Sequence, residues 1–171
     1  MRLLGALLVL LACGAAGMLL ARSLALRRET LRELQVALQL LETEISFTAT
    51  PLPEALRRVA EKTRTPTRRL FATASQMLRS TPGAAVSQAW DRGLGVLAAA
   101  APLEERDLAV LSDLGQGLGQ GDKADQIGKL ELAKAQLRQL EEEASEESRR
   151  QARLWQTLGF LGGLALIILL Y

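Results

Sequence analysis

Residues 31 to 45 read LRELQVALQLLETEI. Leu31, Leu34, Leu38, Leu41 and Ile45 recur in steps of three and four, so all five fall on one side of an α-helix while Arg32, Glu33, Gln39 and Glu42 fall elsewhere. The stretch is an amphipathic helix with a stripe to bury. Upstream, no proline interrupts the chain back to its start, and from Leu3 to Ala21 it runs LLGALLVLLACGAAGMLLA, 19 residues without a charge. As a helix that run is roughly 29 Å long, the thickness of a bilayer core. A second run, LWQTLGFLGGLALIILLY from Leu154 to Tyr171, is 18 residues long and also uncharged. Every charged side chain except Arg2 lies between them. The expected organisation is an N-terminal transmembrane helix over residues 1–21, a polar domain over 22–153, and a C-terminal transmembrane helix over 154–171.

Downstream of Ile45, Thr50-Pro51-Leu52-Pro53-Glu54 stops the helix, because a residue before proline avoids helical angles, and Pro53 with Glu54 starts another that reaches about Lys62. Thr65 as N-cap and Pro66 at the first position open a third, with Leu70, Phe71, Ala74, Met77 and Leu78 inward, and Pro82-Gly83 ends it. Val86, Ala89, Trp90, Leu94 and Leu97 mark a fourth, which Gly93 and Gly95 weaken by about 1 kcal/mol each relative to alanine. Pro102 with Glu104 and Glu105 opens a fifth, inward at Leu108, Leu111, Leu114 and Leu118. Asp122, three residues before Asp125, caps the last, which runs through Ile127, Leu130, Leu137 and Leu140. No segment alternates β-branched and polar residues over a strand's length. The fold class is all-α: an antiparallel six-helix bundle whose first and last helices extend into the membrane.

Arg22, Arg27 and Arg28 follow the first apolar run and Arg149, Arg150 and Arg153 precede the second, whereas the opposite side offers only Arg2 and the terminal amine. Basic flanks stay in the cytoplasm, so these six arginines are expected to set topology and to keep the polar domain cytoplasmic. The rival is a lipoprotein signal ending at Leu10-Leu11-Ala12-Cys13-Gly14, which displays the domain outside, anchored through Cys13. Leucine two places before the cysteine, and an apolar run that continues eight residues past it, favour the retained span.

The chain has 171 residues, no histidine and one cysteine. It therefore lacks the commonest general base, forms no intrachain disulfide, and offers neither a multi-cysteine metal set nor the Glu-x-x-His pairs of a di-iron bundle. Gly115-Gln116-Gly117-Leu118-Gly119-Gln120-Gly121 fits neither the dinucleotide nor the P-loop pattern and reads as a helix terminus. Glu42 and Glu44 point to different sides of their helix, and Glu141, Glu142, Glu143, Glu146 and Glu147 read as a solvated face beside Arg149 and Arg150. No catalytic residue, cofactor or metal is expected, and the protein is not expected to be an enzyme.

Charge is distributed unevenly. Arg57, Arg58, Lys62, Arg64, Arg68, Arg69 and Arg79 face only Glu54 and Glu61 within residues 53–79, whereas residues 104–147 hold 12 acidic against 5 basic side chains. Two readings follow. Either the two regions close on each other within the bundle, or Arg57, Arg58, Lys62, Arg64, Arg68 and Arg69 dock an acidic partner or anionic lipid. Nucleic acid is not expected, since the pattern turns Phe71 and Trp90 inward and leaves few rings for stacking.

LQVALQLLETEI at 34–45 with TPLPEAL at 50–56, LGQGD at 118–122 with Gln126, and LGFLGG at 158–163 resemble the stage III sporulation AB family of endospore-forming bacteria. Gly121 departs from the serine expected there, which puts the Asp122 cap in question. The resemblance implies a membrane component of the secretion-like channel between mother cell and forespore, in the mother-cell membrane surrounding the forespore. It is similar to the inner-membrane platform proteins of type II secretion and type IV pilus systems. The implied partners are the cytoplasmic ATPase of the same complex and other membrane components of the channel.

Overall fold

The computed structural model describes the backbone of residues 2–48 and 50–170 and the side chains of residues 19, 21–47 and 50–150. It contains six helices and, among the described residues, no strand: α1 (Arg2–Thr48), α2 (Leu52–Lys62), α3 (Thr67–Ser80), α4 (Val86–Ala100), α5 (Glu105–Gly117) and α6 (Lys123–Leu170). Each packs on its neighbours in the chain, and α1 packs along α6 more extensively than any other pair, so the bundle closes as a ring around one core. The two predicted spans fall on stretches of α1 and α6 whose side chains, apart from those of Leu19 and Ala21, lie outside the described residues. Among the described residues no helix is long and apolar enough to cross a membrane.

The stripe read at 31–45 is the spine of the core. Leu31, Leu34, Leu38 and Leu41 are fully buried, and Ile45 packs half-buried against them. Leu56, Leu70, Phe71, Trp90, Leu97, Leu111, Leu130 and Leu137 complete it, each with a burial worth about 1.5–3 kcal/mol. Phe71 and Trp90 meet edge to face at 5.5 Å between ring centres, and the Trp90 indole N–H donates to the Leu111 carbonyl at 2.7 Å. That contact joins α3, α4 and α5 at one point.

Helix boundaries follow the proline logic with three shifted starts: α2 begins at Leu52, one residue before Pro53, α5 begins at Glu105 behind a Glu104 N-cap and not at Pro102, and α3 is shifted as well. Pro51 is the N-cap of α2, with Pro53 in its first turn. At α3 the N-cap is Pro66 and the helix begins at Thr67, one residue later than the Thr65 cap predicts. A proline has no side-chain acceptor for the freed N–H groups, and the backbone accepts instead: Arg68 N–H donates to the Arg64 carbonyl and Arg69 N–H to that of Pro66. Asp122 does cap α6, accepting from Asp125 N–H at 2.8 Å, and Gly121 before it takes φ 78°. The glycine run splits. Gly119 and Gly121 have positive φ in the turn after α5, whereas Gly115 and Gly117 lie within the helix.

Candidate interaction faces

Two charge systems were legible in the sequence, and the structure separates them. On α2, Arg57 is held within its own helix, donating to Glu54 at 2.6 and 2.9 Å and also to Glu61. The Arg57 hydrogen bond pulls the Glu54 carboxyl down to about 2, against the opposing effect of desolvation, and Arg57 rises in turn. Arg58 and Lys62 turn towards α1, where both donate to the buried Glu44, at 3.1 and 3.3 Å. Arg64 lies at the turn into α3, with its backbone N–H on Glu33 at 2.9 Å.

Of the six predicted partner-binding residues, then, Arg58 and Lys62 fasten α2 to α1 and Arg57 is paired within its own helix with both Glu54 and Glu61. Arg68 and Arg69 are exposed and form no ion pair among the described residues, and neither does Arg79. Arg57, Arg68 and Arg79 line one groove of about 560 Å³ between α2 and α3, together with Glu61, which pairs with Arg57, the small side chains Ala60 and Ala72, and the polar Ser75, Gln76 and Ser80. Arg68, Ala72, Ser75, Gln76 and Arg79 share a face because they are spaced four, three, one and three apart on α3. The sequence reading stopped its cationic set at Arg69 and missed Arg79 as a member. Eleven residues, three helical turns, separate Arg79 from Arg68, and that spacing was the available signal.

The cations of α2 pair with Glu44, Glu54 and Glu61, so the reading in which residues 53–79 and 104–147 close on each other fails. The acidic region has its own partners: Lys134 pairs with Glu42, Arg106 with Glu104 and Glu143, Arg138 with Glu142, and Gln35 donates to Glu141. The solvated-face reading of Glu141, Glu142 and Glu143 is corrected to this extent, since their partners are on α1, α5 and α6 itself.

The six topology arginines also divide. Arg22, Arg28, Arg149 and Arg150 are exposed, and Arg153 lies outside the described side chains. Arg27 is buried. Its Nε and Nη2 donate to the two Asp107 oxygens at 2.8 Å each, and Nη1 donates to Glu104 at 2.5 Å. Those hydrogen bonds from Arg27 to Asp107 raise the arginine's pKa above its ordinary value, with burial opposing. Asp107 also closes a capping box at the start of α5: its carboxylate accepts from Glu104 N–H at 2.9 Å while the Glu104 carboxylate accepts from the Asp107 N–H. One carboxylate thus both caps α5 and fixes α1 to it. Among the described residues no group of three histidine, cysteine or acidic side chains forms a metal-binding cluster.

Comparisons with known proteins agree across the chain. The family model for stage III sporulation protein AB matches residues 2–171. Stage III sporulation protein AB of Bacillus subtilis (strain 168) is 32% identical over 170 residues, 99% of each chain. A solved structure of stage III sporulation protein AB superposes with a TM-score of 0.67 at 30% identity, covering 73% of this chain and 98% of that one.

Proposed function

Since this chain belongs to the stage III sporulation protein AB family, we propose that it is a non-enzymatic membrane platform of a sporulation channel, one that anchors a cytoplasmic ATPase through its arginine groove. The observation that carries this reading is the division of labour among the helices. The two that pack longest against each other, α1 and α6, are the two that contain the uncharged runs, and α2 to α5 hang from them as a compact unit. A protein docked on α2 and α3 is then tied to the bilayer through Glu44 with Arg58 and Lys62, and the α4–α5 side is tied through Arg27 with Asp107.

The groove supports an acidic protein surface as the occupant. Arg68 and Arg79, which line the groove, and Arg69 beside Arg68 have no ion-pair partner among the described residues, and guanidinium groups suit bidentate pairing with carboxylates. The continuous helical course of α1 past Cys13 supports a retained span over a processed lipoprotein.

Proteoliposomes carrying the full chain, mixed with the purified ATPase and floated on a density gradient, test the proposal. Arg68→Glu, Arg69→Glu and Arg79→Glu together should reduce co-flotation about tenfold or more without changing the melting temperature, because none of the three is paired or buried. Undiminished recruitment rejects the groove as the docking site. Paired topology reporters inserted near Pro82 test the cytoplasmic orientation separately.

A further inference from the structure

The ring of helices buries one side of α1 and α6 and leaves the other bare. Opposite its core stripe, α1 carries a second one: Arg32, Val36, Thr43 and Phe47 lie within about 60° of each other around the helix. Val36 is 50% exposed and Phe47 86%. The outer side of α6 carries Gly128, Leu132, Ala135, Gln139, Glu142 and Glu146, with Leu132 60% exposed. Three of the five large exposed apolar side chains among the described residues are on this face. A groove between the two helices, lined by Val36, Gln39, Ala135 and Arg138, runs through its middle.

Contacts across the pair set the levels. Gln35 meets Glu141, Gln39 and Glu42 meet Lys134, and the Lys123 ammonium donates to the Ser46 carbonyl. Arg32 is therefore level with Glu142 and Glu146, and Thr43 with Leu132. The α1 face is basic at the end nearer the first apolar run and apolar beyond it, and the α6 face at the same levels is acidic and then apolar. Arg32 and Glu146 form no ion pair among the described residues.

We propose that this face is the contact between two copies of the chain, related by a two-fold axis running along the helices. Such an axis sets α1 of one copy against α6 of the other, twice. Arg32 then meets Glu142 and Glu146 of the second copy, and Val36, Thr43 and Phe47 meet its Ala135, Leu132 and Gly128. The arginine groove cannot pair in this isologous way, because the symmetry would place like charge on like charge. The axis also keeps both copies upright in one bilayer, so the inference rests on the membrane reading above. From Arg32 to Phe47 the face is roughly 23 Å long and two helices wide, on the order of 450 Å² per copy, against about 800 Å² for a stable soluble interface. Pairing consequently needs the confinement of the membrane.

The test uses the full chain, labelled with donor or acceptor dyes and reconstituted at low density in phosphatidylcholine vesicles. Wild-type copies should show energy transfer well above that of randomly placed molecules, and Val36→Asp with Leu132→Asp should bring it to the random level. Arg32→Glu alone and Glu146→Arg alone should each weaken pairing about tenfold, since every pair repeats the contact twice. Mixing these two variants should restore it, because each then presents the charge that the other lacks. Pairing unaffected by the double aspartate variant, or a mixture no better than its components, overturns the proposal, as does wild-type transfer at the random level. Flotation of the same vesicles separates the two readings. A chain that does not float overturns both, and one that floats without pairing overturns this inference alone.

Discussion

Truncating Asp107 to alanine strands a guanidinium inside the bundle. Arg27 is 3% exposed and Asp107 is fully buried, and two parallel hydrogen bonds of 2.8 Å join them. Removing one partner of such a pair costs about 3–5 kcal/mol, mostly because the other charge is left without compensation. Two details of this site adjust that range in opposite directions. Arg27 keeps its hydrogen bond to the half-exposed Glu104, which lowers the cost, whereas α5 loses the acceptor of Glu104 N–H, a cap worth about 1 kcal/mol. The expected loss is therefore about 3–5 kcal/mol, a fall of roughly 10 °C or more in the melting temperature for a domain of this size. Thermal melts of the full chain in nanodiscs, followed by circular dichroism, read it directly. Arg27→Met and Asp107→Leu should each cost a similar amount, and the double variant that combines them should recover most of the loss, because an apolar pair of similar volume carries no desolvation cost. If the two single losses simply add in the double variant, the pair is not coupled and the argument from burial is wrong.

Gly115→Ala should destabilise by about 1–3 kcal/mol, since its new Cβ would lie 2.1 Å from Trp90 Cδ1 and force apart the contact that joins α4 to α5; an unchanged melt would show that the indole is free to move. Glu54 should titrate near 2, and Arg57→Gln should return it towards 4.3, as read from carboxyl chemical shifts against pH. Because the folded value is depressed, what this carboxylate adds to stability is complete above about 4.5 and disappears as pH falls towards 2, so the wild type should lose its advantage over the variant only within that window.

The core was legible because it repeats. A stripe spaced three and four apart names Leu31, Leu34, Leu38 and Leu41 with no knowledge of what they touch, and prolines at 51, 53, 66, 82 and 102 divide the rest of the chain. What stayed illegible depends on how closely the pieces approach. Gly93 reads as a weak point in α4, yet a Cβ there would lie 2.6 Å from the Leu70 carbonyl, so glycine is what allows α3 and α4 to meet. Gly115 likewise reads as part of a turn and is instead the flat surface under Trp90. Arg27 shares its sequence context with Arg22 and Arg28, and only a carboxylate 80 positions away distinguishes it. A partial signal was present in Glu104 and Asp107, an acid at the N-cap and another three residues on, which marks α5's first turn as a cluster of negative charge.

Where that buried pair sits decides how a load on the bundle would pass to α1. Asp107 joins α5 to α1 close to the end of the first apolar run, while Glu44 joins α2 to α1 near the far end of the helix. A load applied at the arginine groove reaches α1 through Arg58 and Lys62, both partly exposed and each a single hydrogen bond, before it reaches the bidentate, fully buried joint at Arg27. The outer joint is open to salt and water and yields first; the inner one holds α1 and α5 together regardless of ionic strength. Raising salt should therefore loosen α2 and α3 from α1 before the bundle melts, seen as faster amide exchange in residues 52–80 with unchanged protection in α5. Equal protection loss in both places would mean that the bundle yields as one block, and that a load on α2 and α3 pulls on the whole domain at once.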